Sequence, residues 1–242
     1  MKHSPIINID LLPQDIRKNV NKYLIKLIGL LGNDIVSIFI YGSATGKNYI
    51  QGKSDVNIAV VLKELGIGEL KKSLKVVSWG IKKRISAPLM MTVKHIQTST
   101  DVFPVEFLEM KDSYYLLYGQ DLLKDLPIEK TNLRLQCEQQ LKGKLIRIRQ
   151  AYLEIGLNKK SLNALLKESL NSLFPIFRGL LRLKTAQEPS TDKKEIIKNM
   201  ARNFATDADV FLSVLLNQKN SEEIFEKYIR EIENMAIMID RM

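Results

Sequence analysis

The chain has 242 residues, enough for one large domain or two small ones. Hydrophobic residues make up 45% and charged residues 26%, the composition of a globular protein, and one cysteine, Cys137, excludes an internal disulfide framework. The net charge of +10, divided evenly between the two halves, favours anionic partners: nucleotide phosphates, nucleic acid or an acidic protein.

A lone cysteine fits a reducing compartment, and a cytoplasmic protein is the expectation. Lys2 and His3 are followed by Pro5, Asp10 and Pro13 without a long apolar core, so no signal peptide is expected. No run approaches the roughly 18 apolar residues of a membrane span. The stretch Leu24 to Leu31 contains Lys26 and reads as one face of a helix, so no membrane partner is expected.

From Asp10 to Leu31 the residues Ile16, Val20, Tyr23, Leu24, Leu27, Ile28 and Leu31 recur at three- and four-residue spacing, which predicts a helix capped by Asp10. Gly32-Asn33-Asp34 ends it. Ile35 to Tyr41 and Val56 to Leu62 predict strands by their β-branched and aromatic content. Gly68 to Lys83 predicts a helix with Leu70, Leu74, Val77 and Ile81 inward. Pro88 to Val93 and Val105 to Met110 predict two further strands, with a turn at Tyr118 to Asp121.

Beyond Pro127 the pattern is helical. Leu133, Cys137, Leu141, Leu145, Ile148, Tyr152 and Ile155 form one long apolar stripe. Leu162, Leu166, Leu170, Leu173, Phe177, Leu180 and Leu181 form a second, with a kink expected at Pro175. Lys193 to Phe204, Asp207 to Leu216 and Ser221 to Arg241 continue the series. The expected fold class is α+β: a mixed sheet with flanking helices over residues 1–127, then an all-α helical bundle over 128–242.

The chemistry concentrates in YGSATGKNYIQGKSDVNIAVVL, Tyr41 to Leu62. Gly42, directly after a strand, lets backbone amides approach an anion with no Cβ in the way. A helix starting at Ser43 would add its dipole and free amides, and the Ser43 hydroxyl one more donor. Asp55 and Asn57, two apart on a strand, point to one face, where two oxygens can grip Mg²⁺ together with phosphate. Gly42 to Lys47 is not a P-loop, because only three residues separate Gly42 from Gly46 and Asn48 follows Lys47.

Tyr41-Gly42-Ser43 followed by Ser54-Asp55-Val56-Asn57 resembles the signature of the DNA polymerase β-like nucleotidyltransferase superfamily: Gly-Ser, a short gap, then Asp-x-Asp at a strand start. The helical second half makes the chain similar in kind to the aminoglycoside nucleotidyltransferases. The resemblance implies that Gly42, Ser43, Lys53 and Ser54 meet the nucleotide. It implies that Asp55, Asn57 and a later carboxylate hold Mg²⁺ (or Mn²⁺), with Glu106 favoured over Glu109, which alternation puts on the other strand face. It further implies ATP as substrate and transfer of AMP to a hydroxyl on an acceptor that the sequence does not name.

Asn57 stands where the family has its second aspartate. An amide oxygen carries no charge and bridges two cations poorly, so binding is expected to survive while transfer is slow or lost. Such a protein would be a regulatory or interaction module. A different expectation rests on Arg134, Lys142, Lys144, Arg147 and Arg149, which make the first long helix basic enough for a nucleic-acid partner. Phe103, Phe107, Tyr114, Tyr115 and Tyr118 are candidates to line a base pocket. His3 and His95 have no nearby Cys or His, and no zinc site is expected.

Overall fold

The first amphipathic run forms its helix on the predicted face. In a computed structural model, which describes residues 5–46, 49–156, 158–185, 188–218 and 222–242, α1 (Gln14–Leu31) buries Ile16, Val20, Tyr23, Leu24, Leu27, Ile28 and Leu31. It starts later than Asp10 because Pro13 keeps the residue before it extended, and Asp10 lies in a separate 3₁₀ turn, Ile9–Leu11.

The sheet has four strands: β1 (Ile35–Tyr41), β2 (Asn57–Leu62), β3 (Leu89–Thr92) and β4 (Tyr114–Gly119), in the order β3-β2-β1-β4. β1 pairs antiparallel with both β2 and β4, and β2 pairs parallel with β3, so the sheet is mixed. Ile38, Ile40, Ile58, Val60 and Leu62 pack with the apolar face of α1 into one core. Gly119 closes β4 at φ 79°, where an added Cβ would run into the Val36 carbonyl.

The fourth strand lies elsewhere than the residues predict. Val105 to Met110 is part of a helix, α4 (Pro104–Asp112), and the strand is the aromatic run Tyr114–Gly119. Pro104 suits the first helical position, and Glu106 and Glu109 are good helix formers, which outweighs the β-branched Val105. The segment through His95 is a short helix, α3 (Val93–Thr98).

α2 (Ile67–Ile81) is rotated from the expected face. Its buried residues are Ser73, Val76 and Gly80, while Leu70, Leu74 and Ile81 are exposed. The cause is close packing on α1: a Cβ at Gly80 would lie 2.7 Å from a Tyr23 ring carbon, so the small-residue face is the one that fits under that ring.

The chain divides into two compact units. One comprises Met1–Thr100 with Phe107–Pro127, and the other Asp101–Glu106 with Ile128–Met242. The second unit is helical: α5 (Lys130–Ile155), α6 (Lys159–Lys184), α7 (Lys193–Phe204), α8 (Ala208–Leu215) and α9 (Glu222–Asp240). α5 packs on α6 and α9, and α6 on α7 and α8. α6 runs through Pro175 as one helix. Phe211 stands edge-on to both Phe177 and Tyr228, with ring centroids 5.4 and 5.6 Å away, at the centre of the bundle.

Candidate functional site

β1 leads directly into the Gly-Ser turn. Gly42 adopts φ 79°, a left-handed conformation that a glycine takes without strain. Its N–H donates to the Ser113 carbonyl at 2.9 Å, and its own carbonyl accepts from the Thr45 hydroxyl at 2.8 Å. The Tyr115 hydroxyl donates to the Thr45 carbonyl at 3.0 Å, so β4 holds the turn from the other side. Gly42–Thr45 is a single 3₁₀ turn, so the condition of a helix starting at Ser43 is not met. Such a turn has no macrodipole of consequence, and its i→i+3 bonds leave amides only at its start. The Gly42 amide is already committed, so Ser43 supplies what the turn offers an anion. Lys47 and Asn48 lie outside the described residues.

The Asp55-Val56-Asn57 segment lies beside this turn. Tyr41 is the register partner of Asn57, so Asn57 adjoins Gly42, and a Cβ on Gly42 would come within 3.3 Å of the Asn57 Nδ2. Position 42 therefore favours glycine for its φ, and a side chain there would also press on Asn57. Val56 in turn bridges Ile85 in parallel: its N–H donates to the Arg84 carbonyl at 2.8 Å, and the Ser86 N–H donates to its carbonyl at 2.9 Å.

This bridge pairs each candidate ligand with a donor. The Ser86 hydroxyl donates to Asn57 Oδ1 at 3.2 Å. Arg84 Nη2 lies 3.3 Å from Asp55 Oδ1, while the same guanidinium donates to the carbonyls of Gly52 (2.5 Å) and Lys53. Arg84 holds φ 62°, a conformation uncommon for a residue with a side chain. Sequence reasoning missed both Arg84 and Ser86. Lys82-Lys83-Arg84 reads as a solvated basic patch, and only the parallel bridge brings its last member to Asp55.

Two further expected nucleotide contacts have structural duties or none visible. Ser54 Oγ accepts from the Ile50 N–H at 2.9 Å and so shapes the loop, while Lys53 is exposed. Tyr49 in the same loop donates to Asp15 at 2.5 Å; burial first, then this bond, push its phenol up to about 12. An open recess of about 530 Å³ lined by Pro13, Gln14, Asp15, Tyr49 and Gln51 adjoins the loop.

Glu106 lies on a helix, and its carboxylate already has partners. Gln136 Nε2 donates to Oε2 at 2.6 Å and Gln140 Nε2 to Oε1 at 3.1 Å. Glu109, three residues on, falls near the same side of that helix, not on the opposite face of a strand. Among the described residues, no group of three His, Cys, Asp or Glu side chains gathers as a metal site.

These donors do not fit the two-ion centre that the resemblance implies. Asp55 stands 3.3 Å from a guanidinium, the oxygen of Asn57 is engaged by Ser86, and Glu106 is engaged by two amides. A two-ion site needs bridging charge that one paired carboxylate and one amide lack.

The remaining candidates are mostly absorbed by packing. On α5, Arg134 donates to Glu138 at 2.9 Å and to the Ile239 carbonyl, Lys142 pairs with Glu138 and lies 3.6 Å from Asp240, and Arg149 pairs with Glu233. Lys142 holds the Glu138 carboxyl below its usual range. Three of the five basic residues, Arg134, Lys142 and Arg149, are thus engaged by Glu138 of the same helix and by Asp240 and Glu233 of α9. Phe107 and Tyr118 are core, Phe103 is exposed, and Tyr114 donates to Asp121 at 2.9 Å. His95 is exposed on α3, and His3 lies outside the described residues. Burial pushes the Cys137 thiol up to about 12.

No protein-family model matches the chain, and no curated protein sequence matches it. Among solved structures it is similar to spectinomycin adenyltransferase AAD(9) from Enterococcus faecialis, determined with ATP and spectinomycin. The TM-score is 0.55 at 12% identity, over 90% of this chain and 98% of that one. A likeness at this identity shows a nucleotidyltransferase-like fold. No helix of the described residues is long and apolar enough to cross a membrane.

Proposed function

We propose that this chain binds a nucleoside triphosphate, ATP first among them, at the Gly42-Ser43 turn and the Asp55–Asn57 segment, and transfers AMP slowly or not at all. The fold it shares with an adenyltransferase crystallised with ATP supports the nucleotide and a hydroxyl-bearing acceptor. A lone buried cysteine fits a cytoplasmic protein.

The observation that carries the reading is Asn57. Standing where the resemblance would put the second carboxylate, it lies against Gly42, and its oxygen accepts from Ser86. Phosphoryl-group chemistry of this class depends on charge held against the developing transition state. An amide preserves the shape of that position and removes the charge.

The experiment pairs calorimetric titration with ATP against a transfer assay using α-labelled ATP and hydroxyl-rich acceptors, spectinomycin included. The expected result is saturable ATP binding with transfer indistinguishable from that of Asp55→Ala. Robust transfer abolished by Asp55→Ala overturns the slow-transfer reading, and absence of ATP binding overturns the nucleotide reading itself.

A further inference from the structure

We infer that Arg84 supplies, from within the chain, the positive charge that a divalent ion would place between Asp55 and a bound triphosphate, so that the site takes ATP free of Mg²⁺. This rests on the nucleotide reading of the same turn and adds the charge form of the ligand.

The pairing is the first ground. Two residues of the bridging segment, Arg84 and Ser86, cover the two candidate ligands, Asp55 and Asn57, one each. A guanidinium against Asp55 occupies the position a cation would take there, and a divalent ion would have to displace it against like-charge repulsion. With Arg84 beside Asp55, a phosphate chain approaching this end of the segment meets a positive charge as well as the carboxylate.

The orientation of Arg84 is the second ground. Nη1 donates to the Gly52 carbonyl and Nη2 to the Lys53 carbonyl, and the Asp55 carboxylate lies 3.3 Å from Nη2. A guanidinium has five N–H donors and two of them are spent on these carbonyls, and the side chain is 47% exposed, so donors remain for phosphate oxygens. Its backbone is the third ground. Arg84 follows α2 at φ 62°, where glycine is the relaxed choice, and its carbonyl is fixed by the Val56 N–H. A strained backbone that presents a charged side chain marks a position where the side chain matters.

The test is calorimetric titration with ATP in EDTA and with ATP in excess Mg²⁺, on the natural chain, Arg84→Gly and Arg84→Lys. Glycine relieves the backbone, and lysine keeps charge without the planar fork. The natural chain is expected to bind ATP in EDTA at least as tightly as with Mg²⁺. Arg84→Gly is expected to lose about tenfold or more in EDTA and to recover part of it when Mg²⁺ is added, with Arg84→Lys in between. Binding by the natural chain only in Mg²⁺ overturns the inference and leaves the nucleotide reading standing. Unchanged binding by Arg84→Gly in EDTA does the same. Absence of binding in both conditions overturns both. Should Arg84→Gly fail to fold, the comparison of the two conditions on the natural chain still decides.

Discussion

Gln136 shows how one side chain can organise a neighbouring element. It is buried on α5, its Oε1 accepts from the Val105 N–H at 2.7 Å, and its Nε2 donates to Glu106. Val105 lies in the first turn of α4, where amides have no partner within the helix, so Gln136 caps that turn from outside. Gln136→Ala would leave the Val105 amide unsatisfied and is expected to cost about 1–3 kcal/mol in urea unfolding. A change below a few tenths would show that water replaces the cap. The same residue shows what the sequence hides about Glu106, which lies on a helix with its carboxylate engaged. In sequence, a glutamate between Val105 and Phe107 looks like a strand residue with a free carboxylate. Its partners lie thirty and more positions away and carry no local signal. Asn57 differs: its chemistry was legible because residue type alone fixes charge, whereas Arg84 and Ser86 depended on a bridge between distant segments.

At the scale of the element, α2 is the instructive case. Its apolar period is real, yet Leu74 is 63% exposed and Val76 is 8% exposed. Periodicity finds the stripe with most apolar atoms, and close packing selects the face that fits. Here the Tyr23 ring requires Gly80 beneath it, which turns Val76 inward and Leu74 out. Leu74→Ala is therefore expected to change stability by no more than about 0.5 kcal/mol, while Val76→Ala, a smaller truncation, costs about 2 kcal/mol. Thermal or urea unfolding of the two variants checks the ranking, and the reverse order would restore the periodicity face. In α1 and α5 the long apolar stripe is the face that packs, although Ile25 and Leu30 of α1 and Leu135, Ile146 and Leu153 of α5 stay exposed. The fourth strand differs for another reason: a nine-residue helix is too short for its period to stand out against the strand-favouring Val105 and Phe107.

Across the whole molecule, each unit holds a buried group whose proton is retained. Burial pushes the Tyr23 phenol in the first unit up to about 12, from an ordinary 10.0. Burial, with Glu106 adding to it, pushes the Cys137 thiol in the second unit up to about 12, from an ordinary 9.0. Both are acids with folded values above their unfolded ones. Their contribution to stability is whole below the unfolded value and is lost as pH rises through the folded one. Stability measured by urea unfolding is thus expected to fall from about pH 9 upward, with the loss continuing toward pH 12. Cys137→Ala should remove the first part of that decline, between the ordinary values of thiol and phenol. A profile flat to pH 11 would contradict the buried placement of both groups.

What the sequence alone determined was the sheet domain before a helical half, three of the four strands, the faces of α1 and α5, and the Gly42-Ser43 and Asp55–Asn57 constellation. These follow from periods of two and 3.6 residues and from the chemistry of single side chains, which need no partner to be read. Only the tertiary structure decided which face of α2 is buried, that Tyr114–Gly119 completes the sheet, that Asp240 and Glu233 of α9 meet Lys142 and Arg149 of α5, and that Arg84 and Ser86 meet Asp55 and Asn57. Each of those is a contact between residues far apart in the chain, selected by packing and charge after the local elements exist, and no local pattern encodes it.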